Sequence, residues 1–195
     1  MRQAARLVVM VTVLGLLVAG CTDDPAPVET TPANAPSPSP SATPSPTPTL
    51  DAATAPTRPE EMSTASADGA AAAASYFISL FPYINATGDL SEWDALSSPE
   101  CSFCSGVRDN VTALHSKGHR NIGSVEILSA AGTQVEADRW YSARIHLVIA
   151  ASIDVDNDGE VVDEHPEENE QIDVVMTWAD GWTIDEVGPA STPGT

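Results

Sequence analysis

Between residues 70 and 84 the apolar positions recur with helical spacing. Ala70 to Ala74 open the stretch, and Phe77, Leu80, Phe81 and Ile84 follow at i, i+3, i+4 and i+7, on one helical face. Pro82 removes one backbone bond and is expected to kink or loosen the last turn, and Thr87-Gly88 supplies the exit. Asp89 is placed to cap a short second helix, with Glu92 three positions on and Leu90 and Trp93 as its apolar side. Ser98 as N-cap and Pro99 as first helical residue predict a third helix running through Val107, Val111 and Leu114 to Gly118.

Beyond Gly118 the period shortens to two. Val125, Ile127 and Leu128 read as a first strand turned by Ala131-Gly132. Trp140 to Val155 reads as one long strand. Tyr141, Ile145, Leu147, Ile149, Ala151 and Ile153 share one of its faces, and Trp140, Arg144, His146, Val148 and Ser152 the other. After an acidic loop, Ile172, Val174, Met176 and Trp178 alternate again, and Ala179-Asp180-Gly181 turns the chain into Trp182, Ile184 and Glu186. Three helices followed by a meander of strands predict an α+β domain, with the helices across one face of a curved antiparallel sheet.

The first residues have a different character. Met1 to Arg6 carries two arginines and no acid, and Leu7 to Ala19 is apolar but for Thr12 and Gly15, which is the layout of a secretory signal. Val18-Ala19-Gly20-Cys21 resembles the bacterial lipobox, in which the cysteine thiol takes a diacylglycerol. That resemblance implies a signal peptide over residues 1–20, lipidation at Cys21, and anchoring at the outer face of the cell membrane through acyl chains. Residues 21–66 are rich in Pro, Ser, Thr and Ala, with Pro-Ser-Pro-Ser-Pro and Pro-Ser-Pro-Thr-Pro between Pro36 and Pro48. Proline-rich segments of this kind stay extended at about 3.1 Å per residue, so residues 21–66 read as a disordered tether. The folded domain is then expected over residues 67–190, and residues 191–195 as a disordered tail.

Charge narrows the partners. The chain carries 28 acidic against 8 basic residues, a net −20, and the expected signal would remove Arg2 and Arg6. Such a surface repels nucleic acid and anionic headgroups, so neither is expected as a ligand. The bland reading is solubility in a salty exterior.

Cys101 and Cys104 lie at a helix start, where unpaired amides stabilise a thiolate, so a redox or thiol-exchange site is one reading. The leading reading is a structural disulfide: exported proteins meet oxidising conditions, and Glu-Cys-Ser-Phe-Cys-Ser has no Trp before the first cysteine and no βαβ pattern around it. Zinc is disfavoured. His115 and His119 have metalloprotease spacing without the glutamate, and Gly118 would end the helix between them. Asp154-Val-Asp156-Asn-Asp158-Gly159 matches the start of a calcium loop, with Asp154, Asp156 and Asp158 as ligands. Its twelfth position is His165 rather than glutamate, so an acidic hairpin is the leading reading there and calcium the alternative. Asn85-Ala86-Thr87 and Asn110-Val111-Thr112 match glycosylation sequons, which a bacterial lipobox discounts.

The order of elements resembles the NTF2-like, or SnoaL-like, cone fold, with a closing hairpin like Val-Met-Thr-Trp-Ala-Asp-Gly-Trp-Thr-Ile. Lipobox, tether, Tyr-Ile-Asn-Ala-Thr-Gly-Asp-Leu-Ser-Glu-Trp and Cys-Ser-Phe-Cys together resemble an uncharacterised family of actinobacterial lipoproteins. The cone fold hosts isomerases, dehydratases, cyclases and binding modules, so the likeness implies no activity. Arg144 and His146 are the strand candidates for acid/base work, but they fall opposite the apolar stripe. The expectation is a non-enzymatic module that binds an envelope protein or a small ligand and is able to pair as a homodimer. The alternatives are a thiol-redox enzyme using Cys101 and Cys104 and a cone-fold lyase or isomerase.

Overall fold

In the computed structural model residues 54–191 are described. The expected signal, Cys21 and most of the expected tether lie outside them. A 3-10 turn at Glu60–Ser63 leads into α1 (Ala67–Thr87), α2 (Ser91–Leu96) and α3 (Ser102–Ser116). Seven strands follow: β1 (Arg120–Ile122), β2 (Val125–Glu136), β3 (Trp140–Ile149), β4 (Ser152–Val155), β5 (Val161–His165), β6 (Glu168–Trp178) and β7 (Trp182–Pro189). No described helix is long and apolar enough to cross a membrane.

The α+β class and the helices-then-strands order stand, but the single curved sheet of the cone expectation does not. Two antiparallel sheets form, one of four strands ordered β2-β3-β6-β7 and one of three ordered β1-β4-β5. The division falls where two neighbouring strands break together. The expected long strand from Trp140 to Val155 stops at Ile149 and resumes at Ser152, beside the gap between Ile122 and Val125. The Ala150 amide donates to the Ser124 carbonyl at 3.0 Å across this break, so one backbone pair is kept where the chain bends. Two further expectations change. Ala131-Gly132 is no turn, since β2 pairs with β3 from Val125↔Ile149 to Glu136↔Trp140. Part of the expected acidic loop is β5, in register with β4 from Ser152↔His165 to Val155↔Val161.

Helix α1 lies on the four-stranded sheet. Ser66 caps it, its hydroxyl accepting from the Gly69 amide at 3.0 Å. The helix continues through Pro82 to Thr87 and ends on Gly88, whose φ of 74° is the left-handed region that glycine adopts at least cost. Its buried face, Ala70, Ala73, Ala74, Phe77, Leu80 and Ile84, meets Tyr141, Ala143, Ile145, Val174, Met176 and Ile184 from the sheet. Trp93 of α2 is fully buried, stacks on Phe77 with ring centres 4.0 Å apart, and donates its indole N–H to the Cys104 carbonyl. Burial of a Trp is favourable only when that N–H finds an acceptor.

Residues 58–66, expected in the tether, belong to the fold. Met62 is buried, and its carbonyl accepts from the indole of Trp182. Arg58 reaches Glu92 at 2.8 Å, and Glu92 also accepts from the Tyr76 hydroxyl. Glu92 is therefore occupied by tertiary partners rather than by a capping box. The N-cap position of α2 is Leu90 and not the expected Asp89; Asp89, one residue earlier, accepts from the Ser91 amide at 3.0 Å and so holds the entry to the helix.

Candidate functional site

The two cysteines form a disulfide. Helix α3 starts later than expected because the Ser98 amide donates to the Ile184 carbonyl, holding residues 97 and 98 extended beside β7. The cap is then Cys101, whose sulfur accepts from the Cys104 amide at 3.1 Å. Both cysteines are buried, at 1% and 0% exposure, so a second thiol has no open approach to either sulfur. Thiol exchange needs such an approach.

The other candidate ligands do not gather into one cluster among the described residues. His115 faces back onto α1, with Nε2 3.0 Å from the Asn85 carbonyl oxygen, while His119 lies past the end of α3. Asp156 closes a turn, one carboxylate oxygen accepting from the amides of Asp158 and Glu160. Among the described residues the acidic and histidine groups that converge are instead Asp154, Asp163 and His165, their ligand atoms all within 4.8 Å of one another. Asp163 lies directly across the β4–β5 ladder from Asp154, and His165 across from Ser152, which the sequence, read as a linear loop, does not reveal. The Asn121 side chain donates to Asp154 at 2.8 Å and to Ser152 at 3.1 Å, fixing the carboxylate. Three such ligands suit an open transition-metal site better than calcium, which takes six to eight oxygens.

Arg144 and His146 lie on the outer face of the four-stranded sheet, as their side of the strand predicts. Arg144 is clamped on Asp173 through two bonds of 2.8 and 2.9 Å, and His146 pairs with Asn169 at 2.8 Å. Both are held by these partners, and neither lines the clefts described below.

Concavity is found between helices and sheets. An apolar cleft of about 240 Å³ is lined by Ile78, Phe81, Phe103, Leu147, Ile149, Ile172 and their neighbours. A second, of about 400 Å³, combines Phe81, Leu114, Ile149 and Pro166 with polar groups that include Asn85, Asn110, Asn121, Asp154, His165 and Glu168. Phe81 and Ile149 line both, so the two clefts adjoin, the second carrying more polar groups than the first. Their walls come from α1, α3 and strands of both sheets. No local pattern in the sequence marks them; Asn85 and Asn110 were visible only as sequons.

A family profile matches residues 51–188. The chain belongs to that family, described as a family of unknown function (DUF6318). No curated protein matches the sequence. Among solved structures, the chain is similar to the intermembrane space region of the chloroplast protein ARC6, at 13% identity over 63% of this chain and 97% of that one, with a TM-score of 0.45. It is also similar to a protein assigned as a polyketide cyclase from Xanthomonas campestris pv. campestris, at 12% identity over 58% and 86%, with a TM-score of 0.30. Likeness at these levels carries no inference about the ligand or the activity of this family member.

Proposed function

We propose that this chain is a non-enzymatic binding module of the cell envelope, an actinobacterial lipoprotein held on the outer face of the membrane through Cys21. Its groove receives a small molecule with an apolar body and a polar head. The observation that carries the binding reading is that an apolar and a more polar cleft adjoin, with Phe81 and Ile149 in the walls of both, and we take them as one groove. Apolar walls with a few placed polar groups are the usual make-up of a small-molecule site, and the cleft volumes are of the order such sites have, about 300–1,000 Å³. Burial of the disulfide and the structural pairing of Arg144 and His146 weigh against the redox and lyase alternatives. The anchoring part rests on the lipobox resemblance at Cys21 and on the proline-rich stretch after it.

Titration with the neutral fluorophore N-phenyl-1-naphthylamine tests the groove, using the whole chain with Cys21→Ser so that it carries no lipid. A saturable rise in emission is expected, weakened at least tenfold by Ile149→Asn in a variant that still melts cooperatively. An unsaturable response, or one indifferent to Ile149→Asn, would end the reading. For the anchor, the wild-type chain made in an actinobacterium should sediment with membranes and carry acyl mass on its N-terminal peptide, and Cys21→Ser should do neither.

A further inference from the structure

We infer that the polar head of the ligand is a protonated amine, so that the groove selects cationic amphiphiles over fatty acids and other anionic lipids. This rests on the groove being the binding site and adds the charge of its occupant. Asp154 and Glu168 line the polar half and Glu170 the edge of the apolar half, while neither lining contains Lys or Arg. An alkyl carboxylate or phosphate entering here would lose water and meet carboxylates with no lysine or arginine to offset them, which is costly in a partly enclosed cleft. The net charge of −20 adds a long-range bias of the same sign. An ammonium gains from both.

The placement of the acids points to an amine joined to a chain rather than to a bare ion. Glu168 and Glu170 alternate along β6, opposite Ile149 and Leu147 of β3. Asp154 stands in the other sheet. Two of the three acids, Asp154 and Glu168, thus stand in the more polar cleft and one, Glu170, in the apolar cleft, so negative charge is weighted toward the end where a charged head would sit and apolar walls toward the end for its tail. Asp154 is also set in advance: its side chain is 14% exposed and held by the Asn121 amide, which leaves acceptor capacity for an ammonium, a group with three donors and no acceptor. His165, with Nε2 3.3 Å from Asp154, lies in the same wall and occupies one side of this carboxylate, leaving its other acceptor sites for the ligand.

The test compares octylammonium, octanol and octanoate, each well below its micelle-forming concentration, by calorimetric titration into the whole Cys21→Ser chain at about 0.15 M salt, where exposed charges are screened beyond roughly 8 Å. Octylammonium is expected to bind at least tenfold tighter than octanol, and octanoate more weakly than octanol. Asp154→Asn/Glu168→Gln should lower octylammonium to the affinity of octanol while octanol itself is unchanged. The charge-matched control Asp138→Asn/Asp180→Asn, at two turn positions of positive φ that asparagine tolerates, should keep the preference. Because Asp154 supports the three-stranded sheet, Glu168→Gln alone, at an exposed position, is measured too and should cost at least threefold for octylammonium only. Equal affinities for the three probes, or loss of preference in the control variant as well, overturn the inference while leaving the groove a binding site. Binding by none of the three removes the groove reading and the inference with it.

Discussion

The indole N–H of Trp182 donates to the carbonyl of Met62 at 2.7 Å, across 120 positions of sequence. Both residues are buried, at 5% and 7% exposure, so this bond ties the turn ahead of α1 to the final hairpin in a dry place. Trp182→Phe preserves an aromatic ring against Tyr141 and Trp178 but leaves the Met62 carbonyl without its partner. The expected loss is about 1–3 kcal/mol, the cost of an orphaned buried acceptor. Urea unfolding should show a lower midpoint with an unchanged slope; an unchanged midpoint would mean that the turn contributes nothing to the fold.

Gly132 is a second point where distant segments touch. A Cβ there would collide with the Ala67 carbonyl and stand 2.7 Å from its carbon, because the first turn of α1 rests on the backbone of β2. Gly132→Ala must push helix and strand apart, an overpacking cost of about 1–3 kcal/mol. Gly188 has open space at its Cβ position, so Gly188→Ala should fall within about 0.5 kcal/mol of wild type. Thermal melts of the two variants side by side check the contrast, and equal behaviour would refute the close approach.

That contact also shows why part of the fold could be read from the sequence and part could not. The helical stripe was legible because Phe77, Leu80 and Ile84 are all wholly buried, and the last hairpin because Val174, Met176, Trp182 and Ile184 alternate inward. Gly132 looked like a turn because its reason for being small, the end of α1, is supplied from 65 positions away. Strand β5 was hidden because all five of its residues are exposed, Val161 and Val162 included, so no alternation betrays it. The break at Ala150-Ala151 has no Gly or Pro to announce it; the partner of the Ala150 amide is the Ser124 carbonyl, in the gap between β1 and β2. Glu92 suited a capping box until Arg58, 34 positions away, was seen to claim it. The groove was illegible for the same reason on a larger scale, since its walls are drawn from α1, α3 and strands of both sheets, far apart in the chain.

The disulfide gives a prediction that separates staple from enzyme. Crosslinking Cys101 to Cys104 closes a loop of about four residues, for which chain entropy allows about 2 kcal/mol. Cys101→Ala/Cys104→Ala should destabilise the domain by at least that, since the pair is also packed within the core and the Cys104 carbonyl receives the Trp93 indole. In dithiothreitol without denaturant, iodoacetamide should label the wild-type pair only at the rate of unfolding; in denaturant it should label both at once. Rapid native-state labelling would show the sulfurs to be reachable and reopen the redox reading.

The pH dependence of stability should carry two opposite contributions from the outer face of the four-stranded sheet. Hydrogen bonds from Arg144, helped by the Ser191 amide, hold Asp173 at a pKa of about 2. A depressed carboxylate stabilises the fold above its unfolded value near 3.9, and that contribution is lost as pH falls toward 2. The pair is partly solvated, with side chains 44% and 24% exposed, so the amount is about 1 kcal/mol or less. Asp185 is shifted the other way: burial raises its pKa and nearby Glu100 adds to this, against the pull of Thr177 and Trp140, and one of its oxygens is buried without a hydrogen bond. Its charge therefore costs stability at neutral pH, and that cost is relieved as pH falls through the raised value toward 3.9. Asp185→Asn should then be more stable than wild type at pH 7, with the advantage fading by about pH 4. Asp173→Asn should be less stable at pH 7, with the deficit closing only between about pH 4 and pH 2. Unfolding free energies measured from pH 7 to pH 2 resolve the two windows, and curves that run parallel to wild type in both variants would show that neither carboxylate is shifted by its surroundings.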